Sequence, residues 1–188
     1  MKVYLASSSP RRREILENLG VEFQVVRPEA DESSDITEAG ELTELLSRRK
    51  AEAVADICRD GLVIACDTVV CVDDVILGKP ADRAEAQGML RRLSGRAHRV
   101  VSGICLICGG KCVTAHEVTR VIFDEMSDSD IEKCVELGEP YDKAGGYAVQ
   151  GTASLYIRGL EGDYFNVVGL PVNLLRRTLK NEMGIDLV

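Results

Sequence analysis

The sequence predicts an α/β domain organised around a mixed sheet, and three observations carry that expectation. Strand-like apolar runs alternate with helix-like periodic segments through the first half of the chain. Two long strand-like segments, residues 97–108 and 111–123, are joined through Gly109-Gly110, a hairpin signal that rules out a purely parallel sheet. The length of 188 residues, 45% of them hydrophobic, suits one domain with a real core, or one domain with two lobes. Tryptophan is absent and aromatics are few, so that core must rest on Val, Leu, Ile and Ala.

In chain order, residues 2–7 read as a buried strand. Ser9 then stands as a helix cap with Pro10 at the first helical position, where a missing N–H costs nothing. Ile15, Leu16 and Leu19 follow at helical spacing, and Gly20 ends the helix. Residues 22–26 read as a short strand and 27–40 as a polar loop. A helix is expected over 41–58, with an inward stripe of Leu42, Leu45, Leu46, Ala53, Val54 and Ile57. Residues 62–66 form a strand that Asp67-Thr68 interrupts and 69–72 continue. Asp73-Asp74 reads as a turn, with 75–77 returning. Asp82 and Glu85 form a capping box for a helix to Leu93, and Ser127 and Asp130 cap one ending at Gly138. Residues 139–151 are glycine-rich and irregular, 153–158 read as a last strand, and Pro171 opens a final helix closed by Gly184.

A formal net charge of −8 argues against nucleic-acid or anionic-membrane binding. It leaves room for a small anion held by a local basic cluster. No apolar run approaches the length of a transmembrane helix, and Met1–Ala6 is too short for a signal peptide. A cytoplasmic location is the expectation. Seven scattered cysteines predict reduced, buried thiols. Cys105, Cys108 and Cys112 lack a fourth ligand nearby. The first two are also three apart in a strand, which aims them at opposite faces.

Five places have the chemistry of a site. At Ser7-Ser8-Ser9-Pro10-Arg11-Arg12 a strand runs into a helix N-terminus, where free N–H groups and the dipole attract anions. Two arginines there oppose the dipole unless an anion lies between them; solvated arginines on an ordinary helix are the alternative. Lys50, four residues after Leu46 and four before Val54, lies on the inward stripe and must snorkel, pair or point into a cleft. Asp67 closes an apolar strand, where a carboxylate requires a cation or several donors. Gly78-Lys79-Pro80 lacks the other elements of a Walker A loop, so Lys79 is at most a free-standing phosphate ligand. The 142–151 segment has glycines that admit close backbone approach, and Gln150 can donate and accept at a base edge. An ordinary connection would also account for it.

Taken together, six blocks in order resemble the Maf family. They are Leu5–Arg12, Ala65-Cys66-Asp67-Thr68-Val69-Val70, Gly78-Lys79-Pro80, Leu93-Ser94-Gly95-Arg96-Ala97-His98, Asp142–Gly151 and Asn166-Val167-Val168-Gly169-Leu170-Pro171. The resemblance implies an elongated, two-lobed mixed α/β fold similar to inosine-triphosphate pyrophosphatases, with a central cleft. It implies hydrolysis of a nucleoside triphosphate between the α and β phosphates, with a divalent cation (Mg, Mn or Co) as cofactor. It carries Arg11, Arg12, Lys50 and Lys79 over as substrate-binding residues, Asp67 as the catalytic base, and Glu32 with Asp67 as metal ligands. Arg12, Thr68 and Gln150 match the selective positions of the branch acting on dTTP, UTP and some modified pyrimidine nucleotides. Family members also suggest a homodimer. A non-catalytic nucleotide-binding regulator of septum formation is the competing reading, and a cysteine-based redox or metal protein is a third.

Overall fold

A computed structural model describes residues 1–138 and 140–188. Of the irregular segment expected at 139–151, Glu139 lies outside the described residues. Among the described residues the strands are β1 (Lys2–Ala6), β2 (Gln24–Val26), β3 (Gly61–Val72), β4 (Val75–Leu77), β5 (Ala97–Cys108), β6 (Lys111–Phe123) and β7 (Ile157–Glu161). They form one seven-stranded sheet in the order β2-β1-β3-β5-β6-β7, with β4 also on β3. The pairs β1–β2 and β1–β3 are parallel and the others antiparallel, so the sheet is mixed as expected.

The pairing of β3 opens a gap. One edge is taken by β5 from Val63 to Cys71. On the other, β1 covers Gly61 to Ala65 and β4 covers Val70 to Val72. Cys66 to Val69 lie between these partners, just past the carboxyl end of β1. Open α/β sheets collect ligands at such a place. The expected interruption at Asp67-Thr68 is therefore not a break in the strand: β3 runs unbroken because β5 pairs with both residues.

The interruption is in the side chains instead. On one face, Leu62, Ile64 and Cys66 join a core with β1 and the first and last helices, while Val70 and Val72 join a separate core. Thr68 stands between the two. On the other face Val63 and Ala65 belong to one cluster and Val69 and Cys71 to another, with Asp67 between. The belt continues across the sheet, since Thr68 pairs with Ser102 and Asp67 with Gly103, which in turn pair with Glu117 and His116.

The helices are α1 (Pro10–Asn18), α2 (Ala39–Ala55), α3 (Arg83–Leu93), α4 (Asp128–Gly138), α5 (Tyr164–Val168) and α6 (Val172–Thr178). The last continues as a π-helical turn to Gly184. Ser127 and Asp130 cap α4 reciprocally. Asp82 caps α3, but Glu85 reaches back to Ala81 N rather than to Asp82 N. Ser9 occupies the cap position of α1 without a side-chain hydrogen bond to it, contrary to expectation. The last strand starts later than expected, because residues 152–156 coil into a 3₁₀ turn first. The five-residue α5 is too short for its periodicity to show.

The inward face of α2 also differs from the expected leucine stripe. The helix ends at Ala55 rather than 58, which leaves Ile57 beyond it and 73% exposed, and the buried residues of α2 are Ala39, Gly40, Thr43, Leu46, Ser47, Ala51 and Val54. The cause is close approach: a Cβ on Gly103 would lie 2.3 Å from the Thr43 carbonyl carbon. The helix crosses the belt where only small side chains fit.

A second buried polar feature lies in the α3–α4 core. His98 Nε2 is 2.6 Å from Tyr147 Oη, and both rings pack edge-on against Phe123. Burial lowers the His98 pKa from 6.5 to about 4, so the ring is neutral at physiological pH. An unfolded chain takes up this proton at higher pH than the folded one. Stability present above pH 6.5 is therefore lost as pH falls toward 4, by about 3 kcal/mol. Urea denaturation at pH 7 and pH 4.5 is expected to show this loss, and His98→Gln to flatten that part of the profile.

Candidate active site

The gap in β3 opens into a cavity of about 280 Å³. Every site residue expected from the sequence lines it: Arg11, Arg12, Glu32, Lys50, Asp67, Thr68, Lys79 and Gln150. The backbone explains the convergence. β1 ends at the gap, so the Ser7–Ser9 turn and the first turn of α1 enter it directly. Asp67 and Thr68 are consecutive on β3 and so face opposite ways. Asp67 faces α2 and Thr68 faces the α1 side.

Lys50 answers the burial problem that the sequence posed. Its ammonium is 2.5 Å from Asp67 Oδ1 and 2.8 Å from Glu32 Oε1. The Lys50 and Asp67 side chains are 13% and 11% exposed, so each charge depends on the other. The hydrogen bond from Lys50 leads the effects on Glu32 and holds its carboxyl below the usual range, with Lys79 and Arg12 adding to it. Glu32 belongs to the polar loop before α2, and that loop is tied down by Arg49, which donates to the Asp31 and Ser33 carbonyls.

Arg12 is not a solvated side chain. Its Nε donates to Gly169 O at 2.7 Å, one terminal nitrogen to Thr68 Oγ1 at 3.1 Å and the other to Ser7 Oγ at 3.3 Å. These contacts fix the guanidinium across the gap. Arg11 is held more loosely, 3.4 Å from Asp142. Asp142 also meets Lys143 at 2.5 Å. Burial works against its charge, but Lys143 and Arg11 outweigh that and keep the carboxyl below its ordinary range.

The 142–151 loop reaches the cavity because Gly145 and Gly146 adopt positive φ and Gly145 N donates to Gly78 O. A Cβ at Gly145 would press Val70 at 3.0 Å. Lys143 and Gly169 are contributors that residue-by-residue reading left without a role. Lys143 was visible only as part of a glycine loop, and a carbonyl such as Gly169 O has no signature in sequence.

The thiols take no part in this cavity apart from Cys66 behind it, which donates to Gly169 O. All seven are free, and five are buried. Cys112 is exposed, against the expectation of burial, because it stands beside the hairpin turn. Cys105 packs under α2 and Cys108 on the opposite face, as their spacing predicts. No group of three or more metal-binding side chains exists among the described residues.

Comparison with known proteins gives the family and the fold. The profile described as Maf-like protein matches residues 2–182. The chain belongs to the Maf family. A protein of Desulforamulus reducens named dTTP/UTP pyrophosphatase is 47% identical to it, over 99% of this chain and 98% of its own. One of Symbiobacterium thermophilum with the same name is 49% identical, over 92% of this chain and 89% of its own. Among solved structures, the Staphylococcus aureus Ham1 protein superposes with a TM-score of 0.52 at 15% identity, covering 97% of this chain and 100% of its own. A Mycobacterium abscessus protein titled nucleoside-triphosphatase / dITP/XTP pyrophosphatase gives 0.50 at 18%, covering 98% and 100%. These two likenesses establish the fold, which is the one expected. No helix among the described residues is long and apolar enough to cross a membrane.

In this Maf-family chain, Glu32 and Asp67 could together hold a divalent cation. Both present hard oxygen donors to one point, already held by a positive charge, the Lys50 ammonium. Two carboxylates are few for a protein-only cage but suit a cation whose other ligands are phosphate oxygens and water. Lys50→Met should leave the two carboxylates facing one another. Thermal melts are expected to show a loss of stability of about 3–5 kcal/mol, and added Mg²⁺ or Mn²⁺ should raise the melting temperature of the variant more than that of the wild type. Equal shifts in both proteins would show that the carboxylates do not bind the cation.

Proposed function

We propose that the protein is a nucleoside triphosphate pyrophosphatase that cleaves dTTP and UTP to the monophosphate and pyrophosphate. The observation that carries this reading is the pairing, in one cavity, of a buried carboxylate with converging cations. Asp67 lies within reach of Lys50, and Arg11, Arg12, Lys79 and Lys143 line the same space. A triphosphate brings about four negative charges, and a site of this kind is built to receive them. The names of the close relatives support the substrate class.

The chain's own groups account for the steps. The uncapped first turn of α1 and Arg11 take phosphate oxygens, with Lys79 and Lys143 as point charges on the facing side. Displacing Asp142 from Arg11 frees that guanidinium for the ligand. Lys50 engages one oxygen of Asp67 and leaves the other to orient the attacking water and accept its proton. The water adds at the α phosphorus, and pyrophosphate leaves with its charge met by arginine and lysine. A divalent cation held by Glu32 and Asp67 would supply charge neutralisation and a more acidic water, which suits a base as weak as a carboxylate. Arg12, Thr68 and Gln150 read the base. Such an enzyme would act in the cytoplasm as a house-cleaning activity, and a homodimer is the assembly we expect of it.

A nucleotide-binding regulator without chemistry explains less of the site. Phosphate binding alone gains nothing from a carboxylate held at the centre of the cationic set. Pyrophosphate release from dTTP with saturating Mn²⁺ decides between them. Asp67→Asn should lower turnover about 10²- to 10⁴-fold with little change in dTTP affinity. Near-normal turnover by that variant would remove Asp67 from its role, and tight binding without product in the wild type would favour the regulator.

A further inference from the structure

Beyond the residues that touch the cavity, the hydrogen bonds of Arg12 lead to a buried relay. Thr68 Oγ1 accepts from Arg12 and lies 2.8 Å from Ser102 Oγ, its partner across the β3–β5 ladder. Ser102 Oγ donates to the Asn166 carbonyl at 3.1 Å. Asn166 is fixed in turn by its Nδ2, which donates to Val100 O at 3.0 Å and Thr119 Oγ1 at 2.9 Å. Ser102, Thr119 and Asn166 are each 0% exposed, so no water competes for these bonds.

Proton accounting gives the relay a direction. A hydroxyl has one proton to donate. Ser102 has committed its proton to Asn166 O, so Ser102 Oγ is the acceptor for the proton of Thr68. That leaves a Thr68 lone pair for Arg12. The other acceptor near Thr68 is Gly169 O, at 3.5 Å, already used by Arg12 Nε and the Cys66 thiol. Thr68 is thus held in one rotamer and one donor state, and so is the guanidinium beside it. We propose that Ser102 is a positioning residue for substrate selection: it fixes Thr68, and through Thr68 the plane of Arg12, without touching the nucleotide.

The inference rests on the reading of Arg12 and Thr68 as base-selecting residues. Without the Ser102 hydroxyl, Thr68 must turn its proton to the crowded Gly169 carbonyl or into the cavity. A donor turned into the cavity changes which base edges are accepted. The effect falls on the pattern of substrates rather than on the proton transfer at Asp67, which faces the other side of β3.

The test is a panel of ribo- and deoxynucleoside triphosphates, scored for kcat and KM, with wild type, Ser102→Ala, Ser102→Thr, Thr68→Ala and the Ser102→Ala/Thr68→Ala double variant. The same panel of α,β-methylene analogues, scored by Kd, reports on selection even without turnover. Ser102→Ala should change the ratio of favoured to disfavoured nucleotides about three- to tenfold, mainly in KM. Ser102→Thr should restore the ratio, and the alanine should add nothing further once Thr68 is alanine. A loss shared equally by every nucleotide, or additive effects in the double variant, would reduce Ser102 to a structural residue and overturn the inference. A wild type that favours nucleotides other than dTTP and UTP would overturn the proposed substrates alone, since the coupling between Ser102 and Thr68 is read on whatever preference exists.

Discussion

An ionised carboxylate in the middle of a buried strand is the constraint around which this protein is arranged. Asp67 is 8% exposed and ends an unbroken run of buried residues, 61–67 of β3. Such a charge is tolerated only with a partner close by. Lys50 must therefore project from the inward face of α2, which brings the helix down onto the sheet. The approach is close enough that β5 needs Gly103 beneath Thr43. Small residues on the buried face of α2 follow from the same contact. The ion pair and the tight helix–sheet packing are two sides of one requirement.

The neighbouring residue imposes the complementary requirement on the opposite face. Thr68 is polar between two apolar clusters, and its hydroxyl is satisfied by Ser102 and Arg12. The polar belt separates the core under α1 and α6 from the core under α3 and α4. A cleft forms where two apolar clusters cannot merge. The two arginines that oppose the dipole of α1 are accommodated at its edge. Arg12 finds two hydroxyls and a carbonyl there, and Arg11 finds a carboxylate. Tertiary partners thus offset the dipole at α1, firmly for Arg12 and loosely for the exposed Arg11–Asp142 pair.

Some of this was legible in the sequence for identifiable reasons. The β5–β6 hairpin was readable to the residue because Gly109-Gly110 punctuates two long apolar strands. Counting by fours put Lys50 on the inside of α2, and its pairing with Asp67 is where that count led. The apolar spacing of α2 misled in part, however. Ala53 and Ile57 suggested a stripe, but the helix ends before Ile57, and close packing against Gly103 favours Thr43, Ser47 and Ala51 on the buried face. Asp67-Thr68 suggested a broken strand because polarity along the chain does not reveal which backbone groups a neighbouring strand will pair. The relay through Ser102 was invisible for a related reason. A serine in a strand has no pattern of its own, and its partners lie 34 and 64 positions away.

The two faces of β3 also explain how one short segment can serve two functions without conflict. Consecutive strand residues point to opposite sides, so a proton acceptor and a selective hydroxyl can occupy adjacent positions yet belong to different networks. On the α2 face, strong charge interactions fix Asp67. On the α1 face no carboxylate is involved: the Ser102 hydroxyl and the Arg12 guanidinium fix Thr68 through directional hydrogen bonds. Substitutions around Thr68, Ser102 and Asn166 can then alter which ligand fits while the Lys50–Asp67 pair stays intact. The reverse does not hold, because loss of Lys50 leaves the Asp67 charge without its partner inside the sheet. The separation makes selectivity the more easily changed property of this site and the carboxylate–lysine pair its fixed part.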